Sequence, residues 1–271
     1  MVIFMILTML GTGHATVTKC YNTCFTLSEG EAHFLVDAGG GNWILRILEE
    51  EKIPLCSIHN IFVSHGHTDH VMGVIWIIRM IGQLIRDGRY EGFLYIYCHE
   101  ELSDDIREIC SRTLEKRIIN MFGDRIRFMI LRDGQCLKIL DNEVRFFDIY
   151  STKMKQFGFT MSMKDGSRLA FCGDEPISEH VVCNVKKSDW LMHEAFCLYA
   201  ERDLFQPYKK HHSTVKEACE IAERLEIKNL ILYHTEDKNI EMRKQLYLSE
   251  GKQYYHGNLF VPDDREKIVI E

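Results

Sequence analysis

Short apolar runs of strand length alternate with longer amphipathic runs along most of this chain. Residues 1–10, MVIFMILTML, are almost continuously apolar and run into Gly11-Thr12-Gly13, the pattern of a buried strand entering a tight turn. Residues 34–36 predict a second strand, followed by Asp37-Ala38-Gly39-Gly40-Gly41 and an amphipathic helix over 43–51 that stops near Pro54. A strand over 61–63 and a long apolar helix over 71–85 follow. Then come a strand over 93–97, a helix over 101–121 and a strand over 126–131. Residues 157–163 and 168–172 predict a hairpin around Lys164-Asp165-Gly166. Strand, helix and strand recur over 190–192, 215–225 and 230–233. Such alternation predicts an α/β fold with sheets covered by helices. Only four prolines occur, and no Ser/Pro-rich stretch interrupts the pattern, so one compact domain over 1–271 is expected.

Composition narrows the function classes. The chain has 271 residues, 46% of them apolar, which is enough for a substantial core. Its net charge of −7 makes it a poor candidate for broad electrostatic binding to nucleic acid. Ten cysteines are scattered, and the closest pair, Cys20 and Cys24, has no matching second pair. Neither a cysteine zinc site nor a disulfide framework is expected, and reduced thiols point to the cytoplasm. The apolar start has no basic flank, and no apolar run is long enough to span a bilayer, so no membrane partner is expected. Nothing in the sequence sets the oligomeric state; a homodimer is compatible with it.

The chemistry lies where the strand-like runs end. Ser64-His65-Gly66-His67-Thr68-Asp69-His70 places four metal-capable side chains within six positions, just after Ile61-Phe62-Val63. Neutral imidazoles suit zinc and other borderline divalent metals, and a carboxylate compensates the charge. A His-rich polar loop is the bland alternative, and it explains the spacing less well. Asp37, Asp174, Glu194 and His234 also fall at or just beyond the ends of apolar runs, where α/β folds place their chemistry. Singly, a histidine such as His234 is more often a structural residue. Several distant strand ends supplying the same ligand types suggest one shared site.

With Leu10-Gly11-Thr12-Gly13 and Val36-Asp37-Ala38-Gly39, these residues in this order resemble the metallo-β-lactamase superfamily over nearly the whole chain. Leu191-Met192-His193-Glu194-Ala195-Phe196, followed by His212-Ser213-Thr214, is similar to the ribonuclease Z-like branch. The resemblance implies a four-layered αββα sandwich with two metal ions at one edge. By it, His65 and His67 bind one ion, Asp69, His70 and His234 bind the other, and Asp174 bridges them. Zinc is the implied ion, with manganese or iron as alternatives. Two ions about 3.5–4 Å apart would share a metal-bound hydroxide and clamp a phosphodiester for attack. Asp69 would both ligate and orient the nucleophile. Glu194 and His212 match a pair that protonates the leaving oxygen, a role in which a carboxylate favours the protonated imidazole. Without the resemblance, Glu194 reads as a solvated strand end and His212 as an N-terminal helix residue beside Ser213 as N-cap.

Three departures shape the expectation. The superfamily has a further histidine on the strand before the hairpin; here Asp148-Ile149-Tyr150-Ser151-Thr152 occupies that region, with Tyr150 in its place. Tyrosine ligates only as phenolate, from a reference pKa near 10, so the first metal is expected to be weakened. The long Gly/Pro-rich arm that grips transfer RNA in ribonuclease Z is missing, and Thr235-Glu236-Asp237-Lys238 replaces the family's Ser-x-Arg-Tyr. Both argue against transfer-RNA maturation. The leading expectation is a metal-dependent hydrolase acting on a phosphodiester. The alternatives are a thioester, lactone or other ester hydrolase on the same fold, and a non-catalytic descendant that binds a nucleotide or metal. Lys153, Lys155, Lys209 and Lys210 are candidates for a phosphate-binding rim. His14 is expected near the site without ligating, and His99 is expected to cap the next helix.

Overall fold

A computed structural model describes residues 4–270. Strands β1 (Met5–Gly11), β2 (Cys24–Glu29), β3 (Ala32–Val36), β4 (Ile58–Phe62), β5 (Leu94–Cys98) and β6 (Ile126–Ile130) belong to one sheet. Strands β7 (Cys136–Ile139), β8 (Asn142–Asp148), β9 (Phe157–Ser162), β10 (Arg168–Phe171), β11 (Trp190–Glu194), β12 (Asn229–Tyr233) and β13 (Asn258–Phe260) form a second. The last strand, β14 (Lys267–Ile270), returns to the first sheet beside β1, giving the order β14-β1-β2-β3-β4-β5-β6. The second sheet runs β13-β12-β11-β10-β9-β8-β7. Each is antiparallel at one end and parallel at the other. β3 to β6 are parallel in the first sheet, and β10 to β13 in the second.

Helices α1 (Trp43–Glu50), α2 (Thr68–Arg86) and α3 (Glu100–Thr113) cover the outside of the first sheet. After the short turns α4 (Lys116–Ile119), α5 (Val182–Val185) and α6 (Arg202–Phe205), helices α7 (Val215–Arg224) and α8 (Arg243–Gly251) cover the second. Between the sheets lies a core rich in phenylalanine, with Phe62 and Phe159 edge to face at 5.6 Å and Phe25 against Phe171 at 5.2 Å. The layers are therefore helix, sheet, sheet, helix: the αββα sandwich.

Most of the expected elements are present, and the differences have local causes. Residues 1–3 of the expected first strand lie outside the described residues, and β1 begins at Met5. The helix expected over 101–121 ends at Thr113, because Leu114 turns extended (φ −107°, ψ 160°) and packs into the core. The chain restarts as α4, which buries Ile118 against Gly82 of α2. Strands β2, β7, β8, β13 and β14 and helix α8 carry weak periodicity and escaped the pattern reading. His99 does cap α3, accepting the Leu102 amide at 3.3 Å. Among the described residues no helix is long and apolar enough to cross a membrane. All ten cysteines are free thiols.

Candidate metal centre

The carboxyl ends of the parallel strands in both sheets meet at one edge, where open α/β sheets place their ligands. Asp37 follows β3, the segment 63–70 follows β4, Asp174 follows β10, Glu194 ends β11 and His234 follows β12. Asp37 and His234 take left-handed backbone conformations (φ +54° and +59°), so each strand stops abruptly and its side chain turns across the sheet end. Helix α2 starts inside the motif: His67 is its N-cap residue, and Asp69 and His70 lie in its first turn. An acid in a first turn is favoured by the helix dipole. Gly73 allows α2 to come this close; a Cβ there would lie 1.8 Å from the Ala38 carbonyl oxygen. The glycine therefore brings His70 to Asp37.

The structure brings the six expected ligands together. His65, His67 and Asp174 offer donor atoms within 4.8 Å of one another, and so do Asp69, His70 and His234. Asp174 Oδ2 lies 3.6 Å from His65 Nε2, 3.8 Å from His70 Nε2 and 3.5 Å from His234 Nε2, a bridging position. His212 also comes within 4.8 Å of Asp174 and His234.

An outer layer sets which nitrogen of each imidazole faces inward. His70 Nδ1 donates to Asp37 Oδ2 at 2.7 Å, which leaves Nε2 as a buried acceptor without a hydrogen-bond partner. Ser64 Oγ donates to Asp37 Oδ2, so it accepts from His65 Nδ1 at 2.9 Å. Thr23 Oγ1 donates to the Gly13 carbonyl, so it accepts from His234 Nδ1 at 3.2 Å. Three Nε2 atoms thus surround the Asp174 carboxylate, with His65 Nε2 also 2.9 Å from His67 Nδ1, and such second partners fix ligand tautomer and direction. Gln156 Nε2 donates to Asp174 Oδ1 at 2.6 Å, holding the bridging carboxylate from outside. Converging lone pairs beside a carboxylate are the donor set of a cation, and these residues fit a pair of divalent metals.

Charge follows from burial and neighbours. Burial pushes His65 well below the ordinary imidazole range and His234 to about 3, so both are neutral donors. Burial also opposes charge on His70, but Asp69 and Asp37 outweigh it and raise its pKa well above normal, so a metal ion bound at its Nε2 would displace a proton. Burial works against ionised Asp174 too, yet His65, His234 and His70 hold it well below the carboxylate range.

Glu194 and His212 stand beside this cluster, and neither fits its bland reading. Glu194 is 1% exposed, not a solvated strand end; one oxygen accepts the Ser213 amide and the other lies 3.6 Å from His212 Nδ1. The N-cap of α7 is Thr214 in a capping box with Glu217, not Ser213, so His212 lies before the helix and not in it. Its ring stacks on Phe196 (4.9 Å, 10°) and lies 5.2 Å from the His234 ring. Burial disfavours its charge, but Glu194 and Asp174 raise its pKa above the ordinary value.

The site opens into a cavity of about 760 Å³ bordered by His14, Lys153, Lys209 and Lys210. Lys155 does not border it and lies 3.9 Å from Glu101. His14 packs on Phe196 at 4.4 Å and belongs to no metal cluster, and burial lowers its pKa to about 4.

The expectation for Tyr150 is overturned. Its side chain is 53% exposed, its hydroxyl donates to Asp133 Oδ2 at 3.4 Å, and its ring faces His180 at 5.3 Å. The cause is local: Asp148 accepts the Tyr150 amide at 2.7 Å and the residue turns left-handed (φ +59°), and Tyr150 does not border the cavity at the metal cluster. The Asp133 carboxylate also raises the phenol pKa, opposite to what a phenolate ligand needs. Tyr150→Phe should therefore leave metal stoichiometry and affinity unchanged within twofold in a titration of metal-free protein. A larger loss would return the phenol to the site. Sequence reading also missed Thr23, Gln156 and the orienting role of Asp37; of these, only Asp37 carried a signal, its place after a strand.

Comparison with known proteins agrees with this fold. Ribonuclease Z of Thermococcus sibiricus is 25% identical over 300 residues, covering 96% of this chain and 95% of its own. Among solved structures, the metallo-β-lactamase fold protein YhfI from Bacillus subtilis superposes with a TM-score of 0.77 at 17% identity, covering 98% of this chain and 99% of its own. The short form of human tRNase Z superposes at 0.73 with 21% identity, covering 98% and 99%. The family described as anti-Pycsar protein Apyc1 matches residues 5–268; the chain belongs to that family and is a ribonuclease Z-like member of the metallo-β-lactamase superfamily.

Proposed function

We propose that residues 1–271 act as one metallo-β-lactamase-like domain that hydrolyses phosphodiesters with a pair of divalent metal ions. One observation carries the reading: His65, His70 and His234 each anchor Nδ1 outward and direct Nε2 at Asp174. His65, His67 and Asp174 would hold one ion, and Asp69, His70 and His234 the other, with Asp174 shared. With Tyr150 elsewhere, His65, His67 and Asp174 would hold the first ion with three protein donors, the number usual for a catalytic rather than a structural zinc. We take zinc as the ion for this nitrogen-rich set, with manganese and iron as alternatives.

Bound ions would supply an activated water near neutral pH and draw charge from the phosphoryl oxygens. Asp69, held well below the carboxylate range by His70 despite burial, would orient the attacking water. His212, kept cationic by Glu194, would donate the proton of its other nitrogen to the leaving oxygen. Three lysines at the mouth would attract an anion to a chain of net charge −7. The solved relative named for tRNA and the relative named ribonuclease Z suggest a phosphodiester. β9 and β10 are joined by residues 163–167 alone, without an arm, so we propose a small phosphodiester in place of transfer RNA. The free thiols support a cytosolic location.

The test uses protein purified without chelator. Elemental analysis should find two metal equivalents, and bis(4-nitrophenyl) phosphate should be hydrolysed. Chelator should abolish turnover, and zinc or manganese should restore it. Thioester or lactone turnover without any phosphodiester activity would favour the ester hydrolase instead. Metal uptake with no turnover of either would favour the non-catalytic binder.

A further inference from the structure

Arg243 is the largest of the fully buried side chains, at 1% exposure, and it is not one of the candidate metal donors. It opens α8, remote in sequence from every candidate ligand except His234. Its guanidinium grips three segments at once. Nη1 donates to Thr12 Oγ1 and to Thr235 Oγ1, both at 2.8 Å. Nη2 donates to the Pro262 carbonyl and to Asp263 Oδ1, both at 2.9 Å. Asp264 closes the ring from the other side. Its Oδ1 accepts from the Thr12 hydroxyl at 2.7 Å and the Thr12 amide at 3.0 Å, and its Oδ2 accepts the Tyr21 amide at 2.6 Å.

The two gripped threonines frame His234. The Thr235 amide donates to the Thr12 carbonyl at 3.0 Å, and the Thr235 carbonyl accepts the His14 amide at 3.1 Å. The Gly13 carbonyl, one residue past Thr12, accepts from the Thr23 hydroxyl that in turn receives His234 Nδ1. His234 itself holds a left-handed backbone (φ +59°) that a residue with a side chain keeps only where its surroundings over-determine it. The fork of Arg243 pins the residue after His234 and the loop beneath it in a single grip.

We propose that Arg243 is a positioning residue of the metal centre: through Thr12 and Thr235 it holds His234 in its strained conformation and so sets the affinity of the ion bound by Asp69, His70 and His234. This rests on the metal-centre reading above. Fork geometry, not charge alone, carries the effect, because one nitrogen must reach two hydroxyls while the other holds the C-terminal turn.

The experiment titrates metal-free full-length protein with zinc by calorimetry, and with cobalt(II) by its visible absorption, which reports the coordination of each ion. Thr235→Val removes one hydroxyl at nearly constant volume and leaves every ligand in place. It should weaken one of the two ions about 10- to 100-fold, as loss of an outer-layer partner does, and leave the other unchanged. The cobalt band of the weakened ion should shift, while the melting temperature of the metal-free protein stays near that of the wild type. Arg243→Lys keeps the charge without the fork and should weaken the same ion; should it fail to fold, Thr235→Val carries the test. Unchanged binding in Thr235→Val, or equal weakening of both ions, overturns the proposal. Wild-type protein that takes up no metal overturns the metal-centre reading itself, and this inference with it.

Discussion

Asp174→Asn should release both metal ions and abolish phosphodiester hydrolysis. The carboxylate lies 3.5–3.8 Å from three imidazole nitrogens, two just past the ends of strands and one on a helix, so it is the one donor both ions would share. Asparagine keeps the shape, but it removes the negative charge and sets an amide hydrogen or a weaker oxygen donor among the lone pairs. Metal-assisted charge stabilisation contributes several kcal/mol. At tenfold per 1.36 kcal/mol, its loss lowers turnover by about 10³-fold or more. Elemental analysis and turnover of bis(4-nitrophenyl) phosphate read the two effects separately. Retention of both ions would remove Asp174 from the bridging position. Retention of the ions with lost turnover would make it a residue of the reaction and not of the site's assembly.

The second large effect falls on the leaving group. His212→Ala should cost about 10²- to 10⁴-fold on an alkyl phosphodiester, the usual range for a positioned general acid. On a 4-nitrophenyl ester, whose leaving phenolate needs no proton, the cost should be small. Glu194→Gln should act through His212. Burial opposes charge on that imidazole, and the Glu194 carboxylate is the main group that raises its pKa. The acid must be protonated, so turnover of the alkyl ester should fall as pH rises through the His212 pKa. Without the Glu194 charge that pKa drops, and the falling limb should move to lower pH. A pH–rate profile on both substrates checks the sign. Equal losses on good and poor leaving groups, or an unmoved limb in Glu194→Gln, would rule out the acid role.

Much of the candidate site was legible because its densest part is contiguous. His65, His67, Asp69 and His70 lie within one strand-to-helix turn, and the spacing itself carries the chemistry. Asp174, Glu194 and His234 were legible more weakly, through their places at the ends of apolar runs. Tyr150 shows where position along the chain ceases to inform. It follows β8 at the site end, but one hydrogen bond from its amide to Asp148 and a left-handed turn send its ring to solvent. Backbone direction at a single residue leaves no periodic trace. The same limit applied to the helix expected over 101–121, where Leu114 breaks the run to bury Ile118 against α2.

The sequence by itself determined most of the alternation of strands and helices, and with it an α/β fold of helix-covered sheets, and the local cluster of metal donors; the four-layered sandwich was implied only through the family resemblance. The alternation and the cluster follow from patterns within a few residues of one another, which burial and hydrogen-bond periodicity impose. Only the tertiary structure decided which remote residues serve the site. Thr23 meets His234 across 211 positions, and Arg243 meets Thr12 across 231. Gln156 reaches Asp174 across a hairpin. Threonine, glutamine and arginine are common and chemically versatile, so nothing in their neighbours marks them. Their roles arise from packing two sheets face to face, which brings distant strand ends within hydrogen-bond range and leaves each buried donor or acceptor to find its partner there.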